Sequence, residues 1–199
     1  MEETAYQLEV EEMPENEVNR LIKIGFKGYT NKKLVKSKVG GIILSARYAN
    51  MAKKIRTFEF RSDDIIVMTY PKSGTTWLQE TLWSMRHSHE LHLAEKESIS
   101  QRTYFIDADG LYSLDHQMSM KPQLNRFRSL CPGKNPEDGI VMQLAAASNT
   151  PRVIKTHLPL SVYPRSLLDV CKSLYTLCIK SRGCSASIEI KLFSRKRQS

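Results

Sequence analysis

Two short segments hold residue types that could bind an anion and move a proton. The first is Tyr70-Pro71-Lys72-Ser73-Gly74-Thr75-Thr76-Trp77. It follows the β-branched run 65–67 and precedes a helical pattern, which predicts a turn between a strand and a helix N-terminus. Backbone N–H groups and the helix dipole favour an anion at such a turn. Lys72 adds a positive charge. The hydroxyls of Ser73, Thr75 and Thr76 add hydrogen-bond donors, so we predict a phosphate or sulfate site.

The second segment is Lys155-Thr156-His157-Leu158-Pro159. It follows the predicted strand 152–155, whose end lies at the same edge of an open parallel sheet as residues 70–77. A histidine has an unperturbed pKa of about 6.5 and can accept a proton near neutral pH. We therefore interpret His157 as a candidate general base with Lys155 as a neighbouring cation. The alternative is that His157 is a structural residue.

The scaffold that positions these segments is predicted from alternating strands and helices. Strands are predicted at 65–69, 152–155 and 174–179, and helices at 42–55, from Thr75 to about His87, and at 165–170. Alternation of this kind favours an α/β fold with a P-loop-like parallel sheet flanked by helices. We predict that Leu78, Leu82 and Met85 form the buried stripe of the middle helix. Frequent Gly and Pro predict loops over 107–139.

The first segment resembles a known signature. It is not a Walker A loop, because that pattern places its lysine after a glycine and Lys72 precedes Gly74. It resembles the sequence with which the cytosolic sulfotransferase family binds the 5′-phosphosulfate end of 3′-phosphoadenylyl sulfate (PAPS). The resemblance implies that Lys72 and residues 73–76 hold this group and that Trp77 stacks on the adenine.

A nucleotide-dependent kinase is the disfavoured alternative, because a carboxylate for Mg²⁺ is missing after a later strand.

The second segment resembles the part of the same family that supplies the catalytic histidine. The resemblance implies transfer of a sulfuryl group from PAPS to a hydroxyl or amine of a small-molecule acceptor, without a metal. His157 would be the base, and Lys72 and Lys155 would stabilise the transferring group. Lys155, Thr156 and His157 would also border the acceptor.

A looser match lies between the two segments. Residues 101–107 resemble the family's Arg-x-Pro-Phe-x-Glu stretch, with Tyr104 in place of proline and Asp107 in place of glutamate. Phe105 falls on the phenylalanine that lines the family's acceptor site, so we predict that it binds substrate. A plain core role for Phe105 is the alternative.

The resemblance covers roughly residues 50–171 and stops abruptly. The family continues into a strand ending in Arg-x-Pro-x-Asp, whereas this chain reads Lys180-Ser181-Arg182-Gly183-Cys184. We therefore expect a truncated or altered member that lacks the C-terminal part of the fold. The predicted domains are a polar extension (1–38), an incomplete PAPS-dependent sulfotransferase domain (39–179) and a basic divergent tail (180–199). The alternative function is a catalytically inactive, truncated isoform or a binding remnant.

Composition and spacing argue against two further classes of function, nucleic-acid binding and metal binding. The chain has 199 residues and a net charge of +9, but residues 172–199 hold seven Lys or Arg and one Glu, so the excess lies mostly in the tail. Because the tail offers few aromatics for interleaving, we expect no nucleic-acid partner. The spacing His87-x-His89-x-x-His92 does not favour a metal site, because residues i and i+2 do not share a helix face.

Expectations about location follow from the same composition. No apolar run reaches the ~20 residues of a membrane span, and the first 17 residues contain no Lys or Arg, which argues against a signal peptide. The four cysteines form no C-x-x-C pair, so neither a zinc ribbon nor a redox motif is predicted. Reduced thiols in a cytosol are the simple interpretation. We therefore expect a cytoplasmic protein without a membrane partner. The resemblance adds a homodimer for the full-length family.

Overall fold

The structure is a computed structural model. It describes residues 9–24, 34–38, 41–112, 117–118, 121–149, 151–164 and 166–171, and the backbone of residues 173–180 and 187–193. The strands, in chain order, are β1 (Val10–Glu12), β2 (Leu34–Ser37), β3 (Ile43–Ser45), β4 (Ile65–Thr69), β5 (Tyr104–Phe105), β6 (Val153–Thr156), β7 (Ser173–Lys180) and β8 (Ser187–Phe193). The α-helices are α1 (Glu15–Lys23), α2 (Ala46–Arg56), α3 (Thr75–Arg86), α4 (His92–Lys96), α5 (Ile99–Arg102), α6 (Ala108–Leu111), α7 (Lys121–Leu130), α8 (Ile140–Ala147) and α9 (Ser166–Val170).

A five-stranded sheet with the order β5-β6-β4-β7-β8 is the centre of the fold. β4 lies between β6 and β7 and is parallel to both, with Ile65 opposite Val153 on one side and Ser173 on the other. β5 is parallel to β6, while β8 is antiparallel to β7. The predicted parallel sheet and its three predicted strands are confirmed. Their carboxyl ends share one edge, where β4 and β6 deliver the two candidate segments.

Alternating side chains of β4 and β6 pack on opposite faces of this sheet. Ile66 and Ile154 belong to the larger hydrophobic cluster, and Val67 and Val153 to a smaller cluster beneath α3. Both faces are therefore covered, which explains why the strands read as continuous apolar runs. Full burial of each such side chain contributes about 1.5–3 kcal/mol.

Helix α3 begins directly after the loop at residues 70–74. Its predicted span is confirmed, and Leu78 and Leu82 are buried as predicted. The prediction for Met85 is wrong, because its side chain is 74% exposed while Trp83 is buried. The buried positions of α3 centre on Gln79 and Leu82, so Met85 lies at the border of the buried arc in the last turn.

Two other element predictions need correction. The helix predicted over 42–55 begins only at Ala46, because Ile43–Ser45 forms β3 and pairs with β2. Ser45 caps that helix by accepting the backbone N–H of Tyr48. The region 107–139, predicted to be rich in loops, also contains two α-helices, α6 and α7. Pro122 lies in the first turn of α7, where its missing N–H costs little.

The predicted domain boundaries stay predictions, and both lie close to paired strands. β2 and β3 pair across the boundary at 38, and β7 and β8 pair across the boundary at 179. Segments assigned to the extension and to the tail thus join sheets of the main body. No helix in the described part of the chain is long and apolar enough to cross a membrane.

Candidate active site

The loop after β4 contains two residues with positive φ and leads directly into α3. Lys72 has φ +64° and is the non-glycine residue with positive φ in the described ranges, while Gly74 has φ +92°. The first intrahelical bond of α3 runs from the Leu78 N–H to the Gly74 carbonyl at 3.2 Å. The N–H groups of Thr75, Thr76 and Trp77 therefore have no acceptor within the helix and point out of its N-terminal end. This end of α3 favours a negatively charged group.

Some of the predicted loop residues are buried and hydrogen-bonded within the loop, and the others are exposed to solvent. Ser73 and Thr75 are 2% and 5% exposed. The Ser73 hydroxyl donates to the Tyr70 carbonyl at 2.6 Å, and the Thr75 hydroxyl lies 2.5 Å from the Thr69 hydroxyl. These two side chains hold the loop, whereas Lys72, Gly74 and Thr76 are exposed and free to meet a ligand.

Trp77 lies beside the loop on the outer face of α3. Its side chain is 65% exposed, and Tyr70 in the preceding turn is 77% exposed. Tryptophan side chains are highly buried on average, so the exposure of Trp77 is unusual. It leaves the ring accessible for the stacking role that the resemblance implies, which stays a prediction.

His157 is held at the end of β6 by contacts to two neighbouring strands. Its backbone N–H donates to Asp107 Oδ2 at 2.6 Å, and its Nδ1 lies 2.8 Å from the Thr69 carbonyl oxygen. A carbonyl only accepts, so Nδ1 carries the hydrogen and Nε2 is the unprotonated nitrogen of the neutral ring. The ring meets Phe105 edge to face at 5.2 Å between centroids.

The surroundings keep the His157 ring neutral near pH 7. Burial lowers its pKa, the hydrogen bond to Thr69 raises it, and the charge of Lys155 lowers it again, leaving the pKa below its ordinary value. A neutral ring with a free Nε2 can accept a proton from a bound hydroxyl.

Lys155 and Lys72 supply positive charge at the same edge. Lys155 Nζ lies 4.3 Å from the centroid of the Phe105 ring, a cation–π contact. Burial lowers the pKa of Lys155, Asp107 raises it and the charge of Lys72 lowers it. Phe105 therefore contacts both Lys155 and His157. The positive charges of Lys72 and Lys155 repel each other across the site.

Asp107, which stands in place of the glutamate of the family stretch, is a further residue of this site. It is fully buried, and this burial raises its pKa to about 6. Hydrogen bonds from His157, Thr156 and Tyr163 act in the opposite direction and lower the pKa. Thr156, predicted to border the acceptor, is buried instead, and its hydroxyl donates to Asp107 Oδ1 at 2.7 Å. The sequence signal for Asp107 is its place two residues after Phe105, where the family stretch has another carboxylate, glutamate.

The histidine-rich segment lies away from these groups. His87 is buried, and its ring stacks on Trp83 with centroids 4.8 Å apart. Within the described ranges, no group of three or more His, Cys, Asp or Glu side chains could hold a metal ion.

Comparisons with known proteins show the family to which this chain belongs. Residues 62–188, which include both candidate segments, match the family model described as the sulfotransferase domain. Because this match spans more than half of the chain, the protein belongs to the sulfotransferase family.

The chain is similar to several curated relatives. It is 29% identical over 139 residues to bovine sulfotransferase 1E1, covering 69% of this chain and 39% of that protein. It is 28% identical over 150 residues to human sulfotransferase 1E1, covering 75% and 42%. Mouse sulfotransferase 1A1 is 30% identical over 131 residues, covering 66% and 36%. The chain thus spans about two fifths of the length of these relatives.

Solved structures of retinol dehydratase are also similar. The complex with retinol and PAP has a TM-score of 0.63 and 26% identity, covering 84% of this chain and 50% of that chain. The complex with androsterone and the inactive cofactor PAP has a TM-score of 0.64 and 26% identity, covering 85% and 50%. The α/β fold with a parallel sheet is therefore the sulfotransferase fold over about half of its length.

Proposed function

We propose that this chain transfers a sulfuryl group from PAPS to a hydroxyl or amine of a small-molecule acceptor. The observation that carries the proposal is the 2.8 Å contact between His157 Nδ1 and the Thr69 carbonyl oxygen, at the end of the strand that leads into the loop at residues 70–74. One strand end thus supports both a base and a seat for a charged group. Family membership and the PAP in similar structures support the same reaction.

The donor would lie at the loop and the N-terminus of α3. PAPS, when bound, supplies the sulfuryl group, which passes to the acceptor as its bond to the phosphate oxygen breaks. Lys72 and the N–H groups of residues 74–76 would hold the 5′-phosphate, with Thr76 as a hydroxyl donor. The exposed ring of Trp77 would stack on the adenine. The positive loop fits a polyanion of this kind.

The transfer itself would use His157 and the two lysines. His157 Nε2 accepts the proton of the acceptor hydroxyl while the oxygen of that hydroxyl forms a bond to the sulfur of the donor. Lys72 and Lys155 stabilise the negative charge that grows on the sulfonate and the leaving phosphate oxygen. No metal ion takes part in this scheme.

The acceptor would be an apolar molecule with a hydroxyl group. Retinol and androsterone, bound in the similar structures, are of this kind. Phe105 would line the acceptor site beside His157, since its ring contacts the imidazole. Because Thr156 is buried, it would act through Asp107 rather than by touching the acceptor. A cytoplasmic location and a homodimer stay predictions that rest on the resemblance.

A second candidate is a member that binds nucleotide without transferring a sulfuryl group. It is favoured by the sequence after β7, which lacks the Arg-x-Pro-x-Asp pattern that the resemblance assigns to the 3′-phosphate. Loss of two charge-assisted contacts of about 1.5–3 kcal/mol each would weaken PAPS binding by about 10²–10⁴-fold.

A transfer assay separates these candidates. The purified full chain is incubated with sulfur-labelled PAPS and a panel of hydroxyl and amine acceptors, and labelled product is counted. We expect product with the parent chain and a loss of about 10²–10⁴-fold in His157→Ala. His89→Ala, which removes an exposed histidine outside the site, should keep full activity. Nucleotide binding without product from any acceptor would favour the second candidate.

A further inference from the structure

A buried carboxylate supports the peptide of His157 from beneath. Asp107 is 0% exposed, and its Oδ2 accepts the His157 backbone N–H at 2.6 Å. Its Oδ1 accepts the Thr156 hydroxyl at 2.7 Å and lies 3.1 Å from the Tyr163 hydroxyl. Tyr163 also donates to Thr156 Oγ1 at 2.6 Å. All of these donors come from the histidine segment or from the turn that follows it.

The opposite side of His157 is fixed by the Thr69 carbonyl. Asp107 belongs to the end of β5 and Thr69 to the end of β4, so the histidine at the end of β6 is held between its two neighbouring strands. The hydrogen bond from the His157 backbone N–H to Asp107 fixes the position of the backbone, and the hydrogen bond from Nδ1 to Thr69 fixes the direction of the ring. Release of either one would free the imidazole to turn.

We propose that Asp107 is a positioning residue for His157: its carboxylate anchors the 156–157 peptide, so that Nδ1–H stays on the Thr69 carbonyl and Nε2 stays available as the base. This inference rests on the proposed function for its catalytic consequence, but its structural part does not. Asp107 itself touches neither donor nor acceptor and acts only through His157.

A plain packing role explains Asp107 poorly. A buried carboxylate is costly unless donors satisfy it, and an apolar side chain would fill the same space at a lower cost. The charged and titratable groups that act on Asp107 are Lys155 from β6, Tyr163 from the turn after β6 and Tyr48 from α2. Lys155, the cation among them, favours the ionised carboxylate, as do the hydrogen bonds to it.

Asp109 provides a matched comparison within the same segment. It is equally buried, but its carboxylate accepts the backbone N–H groups of Val141 and Met142 at the start of α8, at 3.0 and 2.8 Å. The two carboxylates, two residues apart, therefore hold different elements. Asp107→Asn and Asp109→Asn make the same chemical change at similar burial, and only the first is next to His157.

The test reads the His157 tautomer by nitrogen NMR of the full chain, which does not depend on activity. We expect one Nδ1–H tautomer in the parent and in Asp109→Asn, and a mixture with Nε2–H in Asp107→Asn. Asp107→Glu, which keeps the carboxylate, should return toward the single tautomer. In the transfer assay, Asp107→Asn should lose about 10²-fold in kcat, as for a base displaced by roughly 1 Å, with little change in KM for the acceptor.

The outcomes separate this inference from the proposed function. A single Nδ1–H tautomer in Asp107→Asn would overturn the positioning role, whatever the activity. An inactive parent whose tautomer is nevertheless lost in Asp107→Asn would keep the positioning role and overturn sulfuryl transfer. If Asp107→Asn does not fold, Tyr163→Phe carries the test, because it removes one hydroxyl from the Asp107 network. An unchanged tautomer ratio in that variant would then overturn the inference.

Discussion

The loop at residues 70–77 and the histidine segment at residues 155–158 meet at one sheet edge but are held in different ways. The loop is braced by its own neighbours, through Ser73 to Tyr70 and Thr75 to Thr69. The histidine segment is held by Asp107 and Thr69, which lie 50 and 88 positions away in the sequence. The conformation of the proposed nucleotide loop is therefore set by contacts within a few residues, whereas the position of the proposed base depends on the assembled sheet.

The largest effect that sharpens this comparison is expected at Lys155. Lys155→Met removes a charge that stabilises the transferring group in the proposed mechanism but leaves the loop intact, so we expect kcat to fall by about 10²–10³-fold. PAP affinity, measured by calorimetry, should change little. Lys53→Met, on the exposed face of α2, is the matched control. An equal loss of PAP affinity would show that the two regions do not act separately.

The reciprocal change at Lys72 should act on binding. Lys72→Met removes a charge-assisted contact worth about 1.5–3 kcal/mol, so PAP should bind about 10–10²-fold more weakly. Calorimetry gives the affinity, and the NMR tautomer of His157 should be unchanged. Unaltered PAP binding in this variant would contradict the assignment of the loop.

A smaller effect is expected from the backbone of the loop. Gly74 has φ +92°, where a side chain costs about 1–2 kcal/mol, so Gly74→Ala should lower stability and weaken PAP binding together. Gly133 has φ +74° with open space around an added Cβ. Gly133→Ala should therefore lower the unfolding temperature similarly and leave PAP affinity unchanged. Equal affinity losses in both variants would indicate a global effect.

The subtlest difference concerns pH. Because burial and the charge of Lys155 lower the pKa of His157, the base should stay neutral as pH falls through 6.5 and protonate only below it. An NMR titration of His157 should give a midpoint below 6.5, and Lys155→Met should move it upward. The unfolded chain takes up the proton first, so the contribution of His157 to stability is present above pH 6.5 and is lost below. A midpoint above 6.5 would contradict this.

The local nature of the loop explains why the sequence predicts it well. The β-branched run 65–67, the turn at Gly74 and the helix that follows are each encoded within a few residues, and the structure confirms β4 and α3. The placement of His157 at the same edge also follows, because parallel strands end together. The roles of the individual residues stay predictions drawn from the resemblance.

What the sequence hides depends on distant partners. Asp107 reaches His157 because β5 pairs with β6. The sequence around residue 107 contains no pattern that predicts this pairing. The late start of α2 has the same cause, since β2 captures Ile43–Ser45 as a strand. The sequence does not indicate helix α7, because Pro122 is typical of a loop, although proline is tolerated in a first helical turn. The exposure of Met85 is also not predictable locally, because the arc that α3 buries is set by the sheet on which it packs.

Thermal unfolding of the purified chain with increasing PAP tests most directly whether the loop at Lys72 is a nucleotide site. We predict one cooperative transition whose midpoint rises with PAP, corresponding to about 2.7 kcal/mol at a concentration 100-fold above Kd. Lys72→Met should need far more PAP for the same rise. A cooperative transition whose midpoint is unchanged by saturating PAP, or the absence of a transition, would contradict the assignment of this loop as a nucleotide site.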